Sequence, residues 1–212
     1  MTKKPIRITW SLGLLLAMLG SAGFAQKTTV EDLTNNLWFK VSFQSLDDDE
    51  AHFTRILGDV FGLPGADIVS IDHPDLGFKI TDGLRYSKYF SGEGSLVYVG
   101  ETEVRVEAGG NAYLLRAEQY GIEIQVVGRY PLLTWLDGFA KGGVFLWRSE
   151  MEVERGGAEL DPSREEDGAS LALSIGVRAV VGKNLAASLS YQRTQLDDLD
   201  LGALDLGLGF RF

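Results

Sequence analysis

The chain has 212 residues, enough for one domain, and 20 Lys+Arg against 30 Asp+Glu give it a formal net charge of −10. That balance excludes a nucleic-acid binder, which needs a basic footprint, and a polybasic membrane-surface binder. No cysteine is present, so disulfides and thiolate metal sites are excluded as well.

The front of the chain reads as a targeting segment. Lys3, Lys4 and Arg7 form a basic start, Ile8 to Leu19 an apolar run, and Gly23-Phe-Ala25 a site for signal-peptide cleavage, with Gln26 the first mature residue. Removing residues 1–25 leaves 17 Lys+Arg against 30 Asp+Glu, a net charge of −13. No cysteine follows the cleavage site, which rules out a lipoprotein. No later segment is a long apolar run, so no transmembrane helix is expected. The mean hydropathy of +0.01 suits a soluble protein and a β-barrel equally. Periodicity decides between them.

Residues 26–35 form a polar lead-in, and barrel strands are expected over 36–212. In the first strand, 37–46, Phe39, Val41 and Phe43 alternate with Lys40, Ser42 and Gln44. A long loop follows at 47–76, opening on Asp47-Asp-Asp-Glu50 and containing a short helical segment over Phe53 to Leu63. A loop of this length is more often functional than structural. Further strands are read at 77–86, 89–100, 119–130, 135–153, about 171–178, 185–192 and 202–212. Between them lie a tight turn at Ser87-Lys88, a variable segment at 101–117 read as a strand extension and a loop holding Gly109-Gly-Asn111, a turn at Pro131 to Thr134, a polar loop at 154–168, a turn at Gly182-Lys-Asn184 and a loop at 196–200.

The tally is eight strands joined by alternating long and short connections. This is the pattern of an all-β, eight-stranded antiparallel up-and-down transmembrane β-barrel, with short periplasmic turns, longer extracellular loops and both termini periplasmic. The polar faces are filled by small residues, such as Ala172, Ser174 and Gly176, and carry few charges. They suit a narrow lumen, which leaves the Leu/Ile/Val/Phe faces to lipid. Tyr86, Tyr89, Tyr130, Trp135, Phe210 and Phe212 form an interfacial girdle at the turn end. Asp82 shares the lipid-facing parity of Ile80 and Leu84. A charge there is costly, so a bulge or local parity slip is expected.

In the last stretch, Leu204, Leu206, Leu208, Phe210 and Phe212 alternate with Asp205, Gly207, Gly209 and Arg211. This ending resembles the closing strand of the OmpA-like family of bacterial outer-membrane β-barrels. Gly77 to Tyr86, Glu93 to Gly100 and Gly128 to Arg148 are similar to further strands and turns of that family. The resemblance implies an outer-membrane location and an assembly signal formed by Leu208, Phe210 and Phe212. It also implies dealings with outer-membrane lipid, lipopolysaccharide and the assembly machinery. The family's periplasmic peptidoglycan-binding domain has no counterpart before Phe212, so cell-wall anchoring is not carried over.

Inward parity places Glu93, Lys40, Lys141 and Arg178 in one layer, where a lone carboxylate must be paired. Family members resemble this chain in carrying an interior acid at the position of Glu93. Their partner pattern differs, because Arg178 stands where an acid is expected and Val127 and Ser188 where basic residues are. A lumen plugged by this cluster points to a structural or surface-interaction role; the alternatives are a small-solute channel and a lipid-modifying enzyme. His52 and His73 lie in the long loop without a serine partner at the wall, so no catalytic residue is assigned. The Asp47 to Glu50 run lacks the spacing of a calcium loop, so no metal site or cofactor is assigned.

Overall fold

The computed structural model describes residues 35–211 except 47–49, 60, 64, 157, 183 and 197–198. The described strands are β1 (Asn35–Leu46), β2 (Asp67–Asp72), β3 (Leu76–Arg85), β4 (Phe90–Ala108), β5 (Asn111–Leu133), β6 (Leu136–Arg155), β7 (Ala158–Val180), β8 (Leu185–Leu196) and β9 (Leu199–Arg211), with one helix, α1 (Glu50–Asp59). Every strand but β2 belongs to a closed antiparallel barrel of eight, in the order β1-β3-β4-β5-β6-β7-β8-β9. The ring is completed by β9 on β1, from Asn36 opposite Arg211 to Leu46 opposite Leu201. Closure gives the apolar last strand a partner on each side and leaves no free edge. The fold is the eight-stranded up-and-down transmembrane barrel read from the alternation.

Polarity is inverted relative to a soluble barrel. Phe39, Ile80, Val126, Ile175 and Leu208 point outward and are exposed, while Ser42, Thr81, Glu93, Gln125, Ser174 and Ser190 point inward and are buried. Lipid is the solvent that makes such a surface favourable. Tyr120 and Tyr130 are ten residues apart on β5. That is about 33 Å of strand and, at ordinary tilt, about 25 Å along the barrel axis, the height of an apolar band.

Several sequence expectations need correction. The segment 154–168 is not a loop, and in 101–117 the expected strand extension takes up all but a tight turn. These segments carry β4 into β5 through a two-residue turn at Gly109–Gly110, and β6 into β7 around Gly156. Pro131 does not start a turn, because β5 pairs with β6 as far as Leu133 opposite Leu136. The segment 47–76 holds the expected short helix, over Glu50–Asp59 rather than 53–63, and also a strand, β2, that was not read from the alternation. Asp82 sits in an unbroken register, opposite Leu37 on one side and Gly94 on the other, with no bulge. The irregularity lies instead between Tyr98 and Gly100. Gly100 takes φ 119 there, in the left-handed region, and an added Cβ would stand 2.6 Å from Pro74. Both Val99 and Gly100 are buried, so the inward parity of β4 passes from odd to even numbers. The signal segment 1–25, most of the lead-in and Phe212 lie outside the described residues.

A transmembrane strand needs about 9–11 residues. β4, β5, β6 and β7 have 19, 23, 20 and 23. Their excess rises beyond the barrel and is extended by β2, which pairs with Glu103 to Glu107 of β4. The result is a five-stranded open sheet, β2-β4-β5-β6-β7. On its inner side α1 packs Phe53, Ile56 and Leu57 against Val104, Val106, Leu115, Ala117, Met151 and Val153. The i, i+3, i+4 spacing of the three helix residues makes one apolar stripe. Gly62 (φ 66) and the Leu63 N–H, donating to the Leu57 carbonyl at 2.9 Å, close the helix.

Candidate functional site

The inward faces meet in the barrel lumen and fill it in three layers. At the turn end, Glu93 of β4 is the common acceptor. Lys141 Nζ donates to its Oε2 at 2.6 Å and Arg178 to its Oε1 at 3.1 Å. Lys40 Nζ stands 3.9 Å and an Arg129 nitrogen 3.8 Å from the same carboxylate. All four sequence-assigned lumen residues therefore meet, and Arg129 joins them. Trp38 and Phe139 floor the layer, with the Arg178 guanidinium 4.1 Å from the Trp38 ring and Lys141 Nζ 4.9 Å from Phe139. Trp38 fits because β9 has Gly209 beside it, where a Cβ would stand 2.6 Å from the indole.

The middle layer is a second network that was not assigned from sequence. Lys79 donates to Asp205 at 3.0 Å and to Gln192 at 3.1 Å, and the Ser42 hydroxyl donates to Asp205 at 2.6 Å. Glu123 accepts from Gln125 at 3.0 Å and from Gln192 at 2.8 Å. Lys79, Glu123 and Asp205 each alternate with the apolar residues of their own strand. Alternation carries no information on which strands face each other across the lumen, so their meeting was not visible.

Above this lies an apolar layer of Val97, Val99, Phe145, Ala172 and Leu201, backed by Trp147. The Trp147 indole N–H donates to Ser170 at 2.9 Å. A void bordered by Lys79, Gln192, Val97 and Phe145 measures about 10 Å³, no more than a single water position. Counted over the described lumen, five cationic side chains (Lys40, Lys79, Arg129, Lys141, Arg178) face three carboxylates (Glu93, Glu123, Asp205). The surplus is positive and gathers around Glu93.

Beyond the barrel the outer face of the upper sheet is charged. β4, β5 and β6 turn seven acids outward, Glu101, Glu103, Glu107, Glu118, Glu150, Glu152 and Glu154, against Arg105, Arg116 and Arg148. Arg116 bonds Glu103 at 3.2 Å and Glu154 at 2.7 Å and lies 3.4 Å from Glu101. The Glu103 hydrogen bond, with the charges of Glu154 and Glu101, holds its guanidinium above the ordinary arginine range. The Tyr120 hydroxyl donates to Glu150 at the level where charge replaces apolar side chains. His73 lies against Phe53, ring centroids 6.4 Å apart, near the inner core of the upper sheet. The acidic run at 47–49 and the His52 side chain lie outside the described residues.

A closed barrel, apolar outside and polar inside, is the form in which a β-protein crosses a bilayer. The family model for the outer membrane protein beta-barrel domain matches residues 12–212. The chain belongs to this family. Its place is the outer membrane. Among solved structures it is similar to Ail, the attachment invasion locus protein of Yersinia pestis, with a TM-score of 0.55 and 16% identity over 85% of this chain and 99% of that one. It is also similar to Neisserial surface protein A, with a TM-score of 0.51 and 13% identity over 85% of this chain and 100% of that one. At such identities the likeness is one of fold. No curated protein matches the sequence.

Proposed function

We propose that this outer-membrane barrel has a closed lumen and works, without catalysis, through the surface that its upper sheet and α1 present outside the cell. The observation that carries the reading is the three-layer filling of the lumen, from the Glu93 cluster through the Lys79–Asp205 network to the Val97/Phe145 layer. The short turns face the periplasm, as in barrels of this class, so the upper sheet projects outward. Residues 1–25 are removed on export, and Leu208, Phe210 and Phe212 direct assembly.

Charge selects the class of partner. One structure of Ail holds the heparin analogue sucrose octasulfate. Here β4, β5 and β6 alone turn seven acids against three arginines onto the outer face of the upper sheet, and like-charge juxtaposition disfavours a polyanion. A cationic partner is the class this face fits.

Purified protein in planar bilayers should show no steady ion current, and bilayer lipid should remain chemically unchanged on incubation. A stable, reproducible conductance in the wild-type protein would favour the small-solute channel, and turnover of lipid the enzyme.

A further inference from the structure

Among the described residues of the barrel strands, Asp82 of β3 is the one acidic side chain turned outward between the two aromatic levels. Its cross-strand neighbours, Leu37 and Gly94, offer no side-chain donor. The Gly83 backbone N–H supplies one hydrogen bond, and a carboxylate has about four acceptor sites to fill. Asp82 lies four residues from Tyr86, on the order of 10 Å up the barrel axis, in the half of the band next to the short turns. A charge on this face is unfavourable unless something of opposite charge covers it.

The surroundings say what the cover is. One rung further into the membrane begins an apolar groove on the outer wall, of about 700 Å³, lined by Phe39, Phe78, Ile80, Leu206 and Leu208. On the other flank β4 presents Gly92 and Gly94, and the Tyr86 phenol lies over Gly92, where an added Cβ would stand 3.0 Å from its hydroxyl oxygen. A carboxylate, a phenolic hydroxyl and a long apolar groove therefore lie side by side on a surface that faces lipid. The groove is flanked by projecting side chains, with Phe78 53% and Leu208 54% exposed, and so takes a flexible chain better than a second flat barrel wall.

We propose that Asp82 and Tyr86 hold the headgroup of an aminophospholipid of the periplasmic leaflet, with one acyl chain lying in the Phe39/Phe78/Leu208 groove. The primary ammonium supplies the opposite charge and the N–H donors that Asp82 lacks, and the Tyr86 hydroxyl donates to the lipid phosphate. A quaternary ammonium has no N–H, so phosphatidylcholine fits less well. An anionic headgroup is repelled.

The test is native mass spectrometry of the full mature protein, refolded in micelles with equal amounts of phosphatidylethanolamine, phosphatidylcholine and phosphatidylglycerol. One phosphatidylethanolamine should be retained preferentially, and stepwise N-methylation of the lipid should weaken retention with no change to the protein. Asp82→Asn should lower retention about tenfold, the loss expected for one charge-assisted hydrogen bond, and Asp82→Glu should largely keep it. Each variant is first checked for the gel shift of a folded barrel. Equal retention of the ethanolamine and choline lipids by the wild type would overturn the proposal even if no variant folds. So would unchanged retention by Asp82→Asn, or an Asp82-dependent dimer without bound lipid.

Discussion

The same three strands, β4, β5 and β6, are built in two opposite ways along their length. Below Tyr98 and Tyr120 they turn Leu96, Ile124, Val126 and Leu146 outward and Glu93, Gln125 and Lys141 inward. Above that level they turn Glu103, Arg116 and Glu152 outward and Val104, Leu115 and Val153 inward, onto α1. Alternation alone says that a strand has two faces. Which face carries the apolar residues is set by the solvent outside, and the reversal marks the height at which lipid gives way to water. The lower interior is accordingly held by charge pairing and the upper one by apolar packing against a helix.

The largest effect is expected where the lower interior depends on a single group. Glu93→Gln leaves four cations around a neutral amide and should destabilise the barrel by about 3–5 kcal/mol, read from urea unfolding in lipid vesicles. Wild-type unfolding in that variant would mean that the cations find other partners. In the upper interior, Leu115→Ala opens a cavity in the α1 core and should cost about 3 kcal/mol. That loss should be local: hydrogen exchange should quicken in α1 and the upper sheet, while unboiled protein should still migrate differently from boiled protein on a denaturing gel, as expected of a folded barrel. Global unfolding would show that the two regions form one cooperative unit.

On the outer surface the comparison predicts a difference between two like substitutions. Ile124→Arg places a charge inside the band and should cost about 2 kcal/mol or more, whereas Glu118→Arg, only six residues along the same strand, should be near neutral. Equal effects would remove the boundary at Tyr120. The smallest change is expected for Arg116→Gln, which breaks exposed ion pairs and should leave the urea unfolding midpoint close to that of the wild type.

This reversal also explains what could be read from the sequence. The barrel strands are legible because their outward faces are largely apolar and their inward faces small or polar, as in Leu171 to Val177 and Leu204 to Phe210. The upper part of β7 reads as a polar loop, and those of β4 and β5 as a variable segment, for two physical reasons. Their charged outer faces resemble polar connections, and the Val99/Gly100 bulge shifts the numbering parity just where the polarity inverts. The Glu93 cluster followed from parity and height. The Lys79–Asp205 layer and the docking of Phe53 and Leu57 on Leu115 depend on contacts between residues distant in sequence, about which alternation is silent. Parity alone sets Asp82 at odds with its face and predicts a change of register, whereas the structure keeps the register and leaves the carboxylate turned to lipid.

Since the chain has no cysteine, single cysteines can be placed at successive outward positions of β5 with no background. Leu114, Arg116 and Glu118 lie above Tyr120, and Ile122, Ile124 and Val126 below it. In proteoliposomes with the upper sheet outside, a water-soluble, membrane-impermeant maleimide should label the first three rapidly and leave the last three protected. Protection at Arg116 and Glu118, or rapid labelling at Ile124, would contradict a membrane boundary at Tyr120.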